Sequence, residues 1–332
     1  MTDRVRVAVV GAGWWGGQHA RAFASRDDIE LCAIVARRPE RAQARAEQYG
    51  ATPYTDVEAM LETEQPDLVT LSLPNTEHYG PTMTVLRAGF AVLVEKPLTF
   101  DLAEADALVS EAERQGSFFA VNFNHRYARA VQNAKRAIDD GRTGDTVFAT
   151  WRFGGEGSSA HHPYADVIET QCHGFDMLEH LCGPVTAVSA EMSDVGGDEG
   201  PGTMVLGLRF ANGAVGSIVG SYRSSYAYPD THRLEVNGTA GRVVVEDTVR
   251  RSTFQAAGSE TAEVWQAGYF NDANRDFFHT MDRYVHAMVR ALRAGEPPPV
   301  PASAGRRALA LALAAIEAHE TGRRVVVAAT EG

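Results

Sequence analysis

The chain reads as an α/β protein: an N-terminal Rossmann-type, doubly wound parallel sheet followed by a C-terminal α+β domain built on a large, open, mostly antiparallel sheet. Three observations predict this. Short β-branched runs alternate with helical stretches in the first third, and a glycine-rich turn follows the first of those runs directly. After about Asn122 the pattern changes to longer strands joined by Gly and Asn turns. With 332 residues, and about 150 residues to a domain, there is length for two cores. The boundary is expected at 122/123, giving domains 1–122 and 123–332.

The elements follow in order. A strand over 5–10 leads into a helix, then a strand over 29–35, a helix through 39–49 and a short strand over 51–54. Further strands are expected at 68–73, 91–95 and 118–121. Thr55 with Glu58 has the spacing of a capping box, and Gly50, Gly89 and Gly116 stand where helices should stop. This βαβ rhythm makes a parallel sheet with helices on both faces. In the second half, strands over 204–210 and 215–219 flank Ala211-Asn212-Gly213, an antiparallel hairpin signal. Helical stretches near 166–181 and 303–320 cover one face of that sheet. The other face needs a cover too, so it is expected to form a homodimer or homotetramer interface. Pro297 to Pro299 is a local loop, and no internal repeat is present.

Composition narrows the functional classes. The chain carries 43 acidic against 31 basic side chains, a net charge of −12, with 44% hydrophobic residues. That excludes disorder and collagen-like repetition, and it argues against nucleic acid or an anionic membrane as a partner. The opening run 5–10 is too short for a signal-peptide core, and no stretch is long enough to span a bilayer, so a cytoplasmic location is expected. Three scattered cysteines, Cys32, Cys172 and Cys182, are an odd number in a long chain and read as reduced thiols.

The turn Gly11-Ala12-Gly13-Trp14-Trp15-Gly16 lies between a strand and a helix, the context in which a GxGxxG pattern binds a dinucleotide. Gly11 permits the tight turn, Gly13 lets the backbone approach a pyrophosphate, and Gly16 brings helix and strand together, with helix amides aimed at the phosphates. Trp14 and Trp15 read as packing residues that neighbour the nucleotide. About twenty residues on, NAD enzymes usually carry a carboxylate for the adenosine ribose. Here Ala36-Arg37-Arg38 follows the second strand. Without that carboxylate, and with two guanidinium groups to pair with a 2′-phosphate, NADP(H) is favoured and NAD(H) remains possible. Both arginines can equally be solvated charges at a helix start.

At the end of the fifth strand stands Glu95-Lys96-Pro97. The carboxyl edge of such a sheet faces the ligand crevice, so Lys96 is placed to stabilise an alkoxide or pass a proton, with an ordinary surface lysine as the other reading, and the proline admits a cis Lys96–Pro97 bond. A second cluster comprises Glu169, His173, Asp176 and His180, one polar stripe on a helix read as continuous. An amphipathic helix showing that stripe to water is one reading. The other is functional: a carboxylate four residues from a histidine orients an imidazole for acid/base work. Cys172, His173, His180 and Cys182 fit no standard zinc spacing, so no metal is expected. His161-His162, in a Gly/Ser-rich loop, reads as solvated or as part of a substrate lid.

With these residues in hand, the chain resembles the Gfo/Idh/MocA family of oxidoreductases over nearly its whole length. The resemblance rests on the GAGWWG turn, on Leu73-Pro74-Asn75 to His78 after the fourth strand, on Glu95-Lys96-Pro97, on the histidine helix, and on the closing helix that ends in Thr321-Gly322-Arg323-Arg324-Val325. It implies a dinucleotide-binding first domain, a substrate-binding and oligomerising second domain, and reversible hydride transfer between nicotinamide and a hydroxyl-bearing carbon of a sugar, sugar derivative or cyclitol. The family's lysine matches Lys96 and its acid/base histidine matches His173. Its usual aspartate corresponds to Glu169, a longer arm with the same charge. Gln171 replaces a small residue and brings an amide toward the substrate. Pro74, Asn75, His78 and Glu95 match positions near the cofactor, and Asn122 and Arg126 positions near the cofactor or substrate. The resemblance thus implies that His173 takes the hydroxyl proton, Lys96 stabilises the oxyanion and Glu169 orients His173 or binds an adjacent hydroxyl. Two rival readings share the fold: a glycoside-cleaving enzyme that oxidises its sugar transiently with a tightly held nicotinamide, and a non-catalytic nicotinamide sensor.

Overall fold

The computed structural model describes residues 4–155, 162–195, 200–270 and 275–328. The chain divides into two compact units, Met1–Phe123 with Met281–Arg306, and Asn124–Thr280 with Arg307–Gly332.

In the first unit β1 (Val5–Val10), α1 (Trp14–Ala24), β2 (Ile29–Val35), α2 (Pro39–Glu47), β3 (Thr52–Tyr54), α3 (Val57–Glu64), β4 (Leu68–Leu71), α4 (Tyr79–Arg87), β5 (Ala91–Val94), α5 (Leu102–Gln115) and β6 (Phe119–Val121) alternate. All six strands are parallel, in the order β3-β2-β1-β4-β5-β6. The order reverses between β1 and β4, and such a switch point opens a crevice at the carboxyl ends of the strands. Helices cover both faces, so β1, β4 and β5 are buried almost throughout and read as unbroken apolar runs. One cap differs from expectation. Asp56, not Thr55, caps α3, its Oδ1 accepting from Ala59 N at 2.8 Å; it stands directly before the first helical residue, where a side-chain acceptor reaches the free amides. The segment 281–306 is fastened to this unit by Tyr284, whose hydroxyl donates to Val121 O at 2.7 Å, and by Asp282, which pairs with Arg21 at 2.7 Å.

The second unit contains α6 (Arg129–Asp139), β7 (Thr146–Gly154), α7 (Cys172–Cys182), β8 (Val185–Ser193), β9 (Thr203–Phe210), β10 (Val215–Ser221), β11 (His232–Gly238), β12 (Gly241–Glu246), β13 (Arg251–Ala256) and β14 (Glu263–Gln266). After α8 (His279–Ala294) and α9 (Ala302–Thr321) comes β15 (Val325–Val326). The sheet runs β14-β13-β12-β11-β7-β10-β9-β8-β15 and is antiparallel except where β7 pairs with β10. The β9–β10 turn is as the sequence predicts: Gly213 has φ +88°, and Asn212 Oδ1 accepts from Ala214 N at 3.0 Å.

α7 covers one sheet face. Gly174 brings it down on β7, since a Cβ there would lie 2.7 Å from the Trp151 indole. Its far end is fixed by Arg307, whose buried guanidinium binds Glu179 at 2.9 Å and also donates to the carbonyls of Val185 and Ala328. The opposite sheet face exposes Val205, Val215 and Val219. The continuous helix expected over 166–181 is interrupted. Asp166–Thr170 is a single π turn closed by Gln171 N donating to Asp166 O at 3.2 Å, and regular α-helix begins at Cys172. Glu169 lies within that turn. The middle of the stripe does not face water: His173 and Asp176 are buried, while Glu169 and His180 are half-buried.

Candidate functional site

The glycine-rich turn occupies the carboxyl end of β1. Gly11 has φ +120°, and a Cβ on it would stand 2.0 Å from Ser72 O; one on Gly16 would stand 1.8 Å from Gly11 O. These two glycines are demanded by the protein's own packing. Gly13 differs, for a Cβ there meets nothing within 4 Å. It is the N-cap of α1 with no side-chain cap, so the first amides of that helix face an open approach. A cradle that needs no glycine for internal reasons fits a nucleotide pyrophosphate. Trp14 is 58% exposed and meets Trp15 edge to face at 4.9 Å. After β2, Arg37 and Arg38 are both exposed, and Arg37 Nη1 lies 3.2 Å from the Glu77 carboxylate. A carboxylate thus does reach this strand end, delivered by the segment after β4 rather than by β2. Pro74 is exposed and Asn75 half-buried in that same segment.

At the end of β5, Glu95 is buried and held by three groups. His19 Nε2 lies 2.7 Å from Oε1, Asn122 Nδ2 donates to Oε1 at 2.6 Å, and Lys96 N donates to Oε2 at 3.2 Å. Burial pushes the carboxyl up, but the His19 and Asn122 hydrogen bonds and the charges of His19 and Lys96 outweigh it, leaving Glu95 below the ordinary carboxylate range. The Lys96–Pro97 peptide is cis. His78 braces this turn from behind: Nδ1 lies 2.8 Å from Pro97 O and Nε2 3.2 Å from Leu73 O. Burial lowers its pKa, against the pull of these carbonyls and of Glu95. In this unit the structure therefore brings Glu95, Asn122 and His78 together around the Lys96 turn as supporting groups.

In the second unit Arg126 is committed to Asp176. Its Nε donates to Oδ2 at 2.9 Å and its Nη2 to Oδ1, a bidentate pair at the base of α7. Burial still leaves the Asp176 carboxyl raised, against the pull of Arg126. His173 is buried in an aromatic setting. The His125 ring stacks on it with centroids 3.9 Å apart and planes 9° apart, and Phe153 lies 6.3 Å away. Gln171 is fully buried, its amide donating to Phe153 O at 3.4 Å and packed over Gly220. His180 is pushed down to about 3, chiefly by burial and then by the charges of Arg126 and Lys135. Glu169 is half-buried in the π turn.

His162 is half-buried, and His161 lies outside the described residues. Cys32, Cys172 and Cys182 are buried, and none of them is in a disulfide among the described residues. Among the described residues no group of three His, Cys, Asp or Glu side chains is placed to hold a metal ion, and no helix is long and apolar enough to cross a membrane.

Sequence reasoning did not single out His19, His125 or Tyr222. His19 falls on the buried side of α1, three residues after Gly16, and a buried polar residue there needs a partner. Which partner, no local pattern could say.

Comparison with known proteins completes the description. The family model described as oxidoreductase family, NAD-binding Rossmann fold, matches residues 5–123, and that of the family's C-terminal alpha/beta domain matches 118–327. The chain belongs to the Gfo/Idh/MocA oxidoreductase family. Inositol 2-dehydrogenase of Rhizobium meliloti is 30% identical, with 98% of this chain and 99% of that protein covered. Myo-inositol 2-dehydrogenase of Thermotoga maritima is 28% identical over 97% and 98%. A crystal structure of an NAD binding oxidoreductase from Klebsiella pneumoniae superimposes with a TM-score of 0.88 at 21% identity, covering 98% of this chain and 99% of that one, a likeness of fold. This Gfo/Idh/MocA protein is therefore an oxidoreductase with an NAD-binding Rossmann domain, and that domain carries the open cradle at Gly13.

Proposed function

We propose that the chain oxidises or reduces a hydroxyl-bearing carbon of a sugar, sugar derivative or cyclitol, with NADP(H) preferred over NAD(H). The observation that carries this reading is the pairing, at the carboxyl edge of one parallel sheet, of the uncapped α1 terminus at Gly13 with the braced Glu95-Lys96 turn. The inositol dehydrogenase relatives support the substrate class. When bound, the nicotinamide accepts a hydride from the carbinol carbon or returns one to it. Gly11, Gly13, Trp14, Trp15 and Gly16, with Pro74 and Asn75, hold the cofactor; Glu95 and His78 position the Lys96 turn. Lys96 Nζ stabilises the negative charge that grows on the substrate oxygen, and the His173 imidazole takes the hydroxyl proton. Glu169 orients His173 or binds a neighbouring hydroxyl.

The NADP(H) preference rests on Arg37 and Arg38. A 2′-phosphate competes with Glu77 for Arg37, so Glu77→Gln should strengthen NADPH binding while Arg37→Ala weakens it. Titration with NADPH and NADH, followed by quenching of tryptophan fluorescence, tests both. Tighter NADH binding by the unaltered protein would retire the preference and keep the dehydrogenase. Failure of both to bind would retire the whole reading. Lys96→Ala should abolish most turnover with cofactor binding intact; near-normal turnover removes Lys96 from the chemistry. The exposed valines of the sheet support a homodimer or homotetramer joined through that face, and a monomeric mass in light scattering would exclude it. The expected domain roles, nucleotide binding before residue 123 and substrate binding after it, belong to the same proposal, as does a cytoplasmic location.

A further inference from the structure

Followed from its interior toward its start, α7 meets successively later residues of β10. A Cβ on Gly174 would lie 3.3 Å from Ile218 Cδ1, and a Cβ on Gly220 would lie 2.5 Å from Gln171 Nε2. Helix and strand therefore run in opposite directions. Strand side chains alternate between faces, so positions 218, 220 and 222 share the covered side, and all three are buried. Tyr222, one residue past the end of β10, is the next residue in this series, and it feels the charges of Asp166 and Glu169 in the π turn.

Two polar atoms are left over there. Tyr222 is 6% exposed. Its hydroxyl and the Oδ1 of Asp166 are both buried, and neither has a hydrogen-bond partner among the described residues. Burial raises the Tyr222 phenol well above its ordinary pKa, and the nearby charges of Asp166 and Glu169 add to this, so it stays an O–H donor. Burial, with help from Glu169 and against Arg223, pushes the Asp166 carboxyl up to about 7. A buried donor and a buried acceptor, close enough to feel one another and not bonded together, call for a guest that both donates and accepts. A hydroxyl does both.

We propose that Asp166 and Tyr222 form a hydroxyl-binding subsite, in which one substrate hydroxyl donates to Asp166 Oδ1 and accepts from the Tyr222 phenol. This rests on the polyol reading above, because Asp166 shares its π turn with Glu169. The pair determines specificity: it selects a polyhydroxylated ring over the analogue lacking that one hydroxyl, and it takes no part in the proton transfer.

The test uses Asp166→Ala, Tyr222→Phe and the double variant of the full chain, assayed with myo-inositol, levoglucosan and methyl D-glucopyranoside and with their mono-deoxy analogues. For the best polyol, each single variant should raise KM about tenfold and change kcat by less than about twofold. The double variant should be little worse than either single one, since both hold the same hydroxyl. The unaltered protein should disfavour one deoxy analogue about tenfold, and the variants should not. Unchanged KM, or fully additive losses, overturns the subsite. Melting gives a second readout. Tyr222→Phe should melt no lower than the unaltered protein, because its hydroxyl has no internal bond to lose; a clear drop shows a structural hydroxyl and overturns the proposal. Should none of the polyols turn over while NADH still binds, the polyol dehydrogenase reading falls. The subsite is then judged by the rise in Tm with myo-inositol: a rise lost in both single variants supports it, and no rise, or one retained in them, overturns it.

Discussion

His19 and Glu95 meet at 2.7 Å in the interior of the first unit, one carried by α1 and the other by the end of β5. Thr70 Oγ1 holds the other ring nitrogen of His19 at 2.6 Å, so the imidazole bridges two neighbouring strand positions. Removing either partner leaves a buried polar group unsatisfied, at a cost of about 3 kcal/mol. His19→Ala should lower the urea midpoint accordingly and, by loosening Glu95, reduce turnover. An unchanged midpoint would show that the contact contributes nothing.

The three glycines of the turn should separate by substitution. Gly11→Ala and Gly16→Ala force a methyl group against a backbone oxygen and should destabilise the fold by several kcal/mol, at about 1–3 kcal/mol for strain and more for overlap. Gly13→Ala should melt normally and yet bind NADH about tenfold or more weakly, because its methyl group enters the space kept for a phosphate. Normal NADH binding by Gly13→Ala would place the phosphates elsewhere.

Arg126 and Asp176 form a buried bidentate pair, and lysine cannot reproduce that fork. Arg126→Lys should therefore lower stability, and Arg126→Ala should lower it by about 3–5 kcal/mol. Denaturant titration checks this. A substrate-binding role alone would instead raise KM with the midpoint unchanged.

His180 links stability to acidity. Its folded pKa of about 3 lies below the ordinary 6.5, so the unfolded chain takes up the proton first as pH falls. The stability it leaves intact above pH 6.5 is lost progressively between about pH 6.5 and 3. His180→Gln should flatten the fall in Tm between pH 7 and pH 4.5; identical slopes would mean that the ring reaches water.

Much of the first unit was legible because its signals are local. An apolar run, a glycine turn and a helix cap lie within about ten residues of one another, and βαβ connections make the strands they join parallel. The cap at Asp56 shows the limit of such reading, since two adjacent residues offered acceptors and only backbone direction chose between them. The π turn before α7 was less legible still. One extra residue in a helical turn leaves no mark in composition, yet it breaks the helix expected over 166–181 before Cys172.

By itself, then, the sequence determined the two-part α/β architecture, the dinucleotide turn and the Glu95-Lys96-Pro97 strand end, because each depends on neighbours in the chain. Tertiary structure alone decided who partners whom across long separations: His19 with Glu95, Arg126 with Asp176, His125 on His173, and Tyr222 near Asp166. The physical reason is that burial turns each polar group into an obligation, and the group that meets it is chosen by packing, not by proximity in the chain.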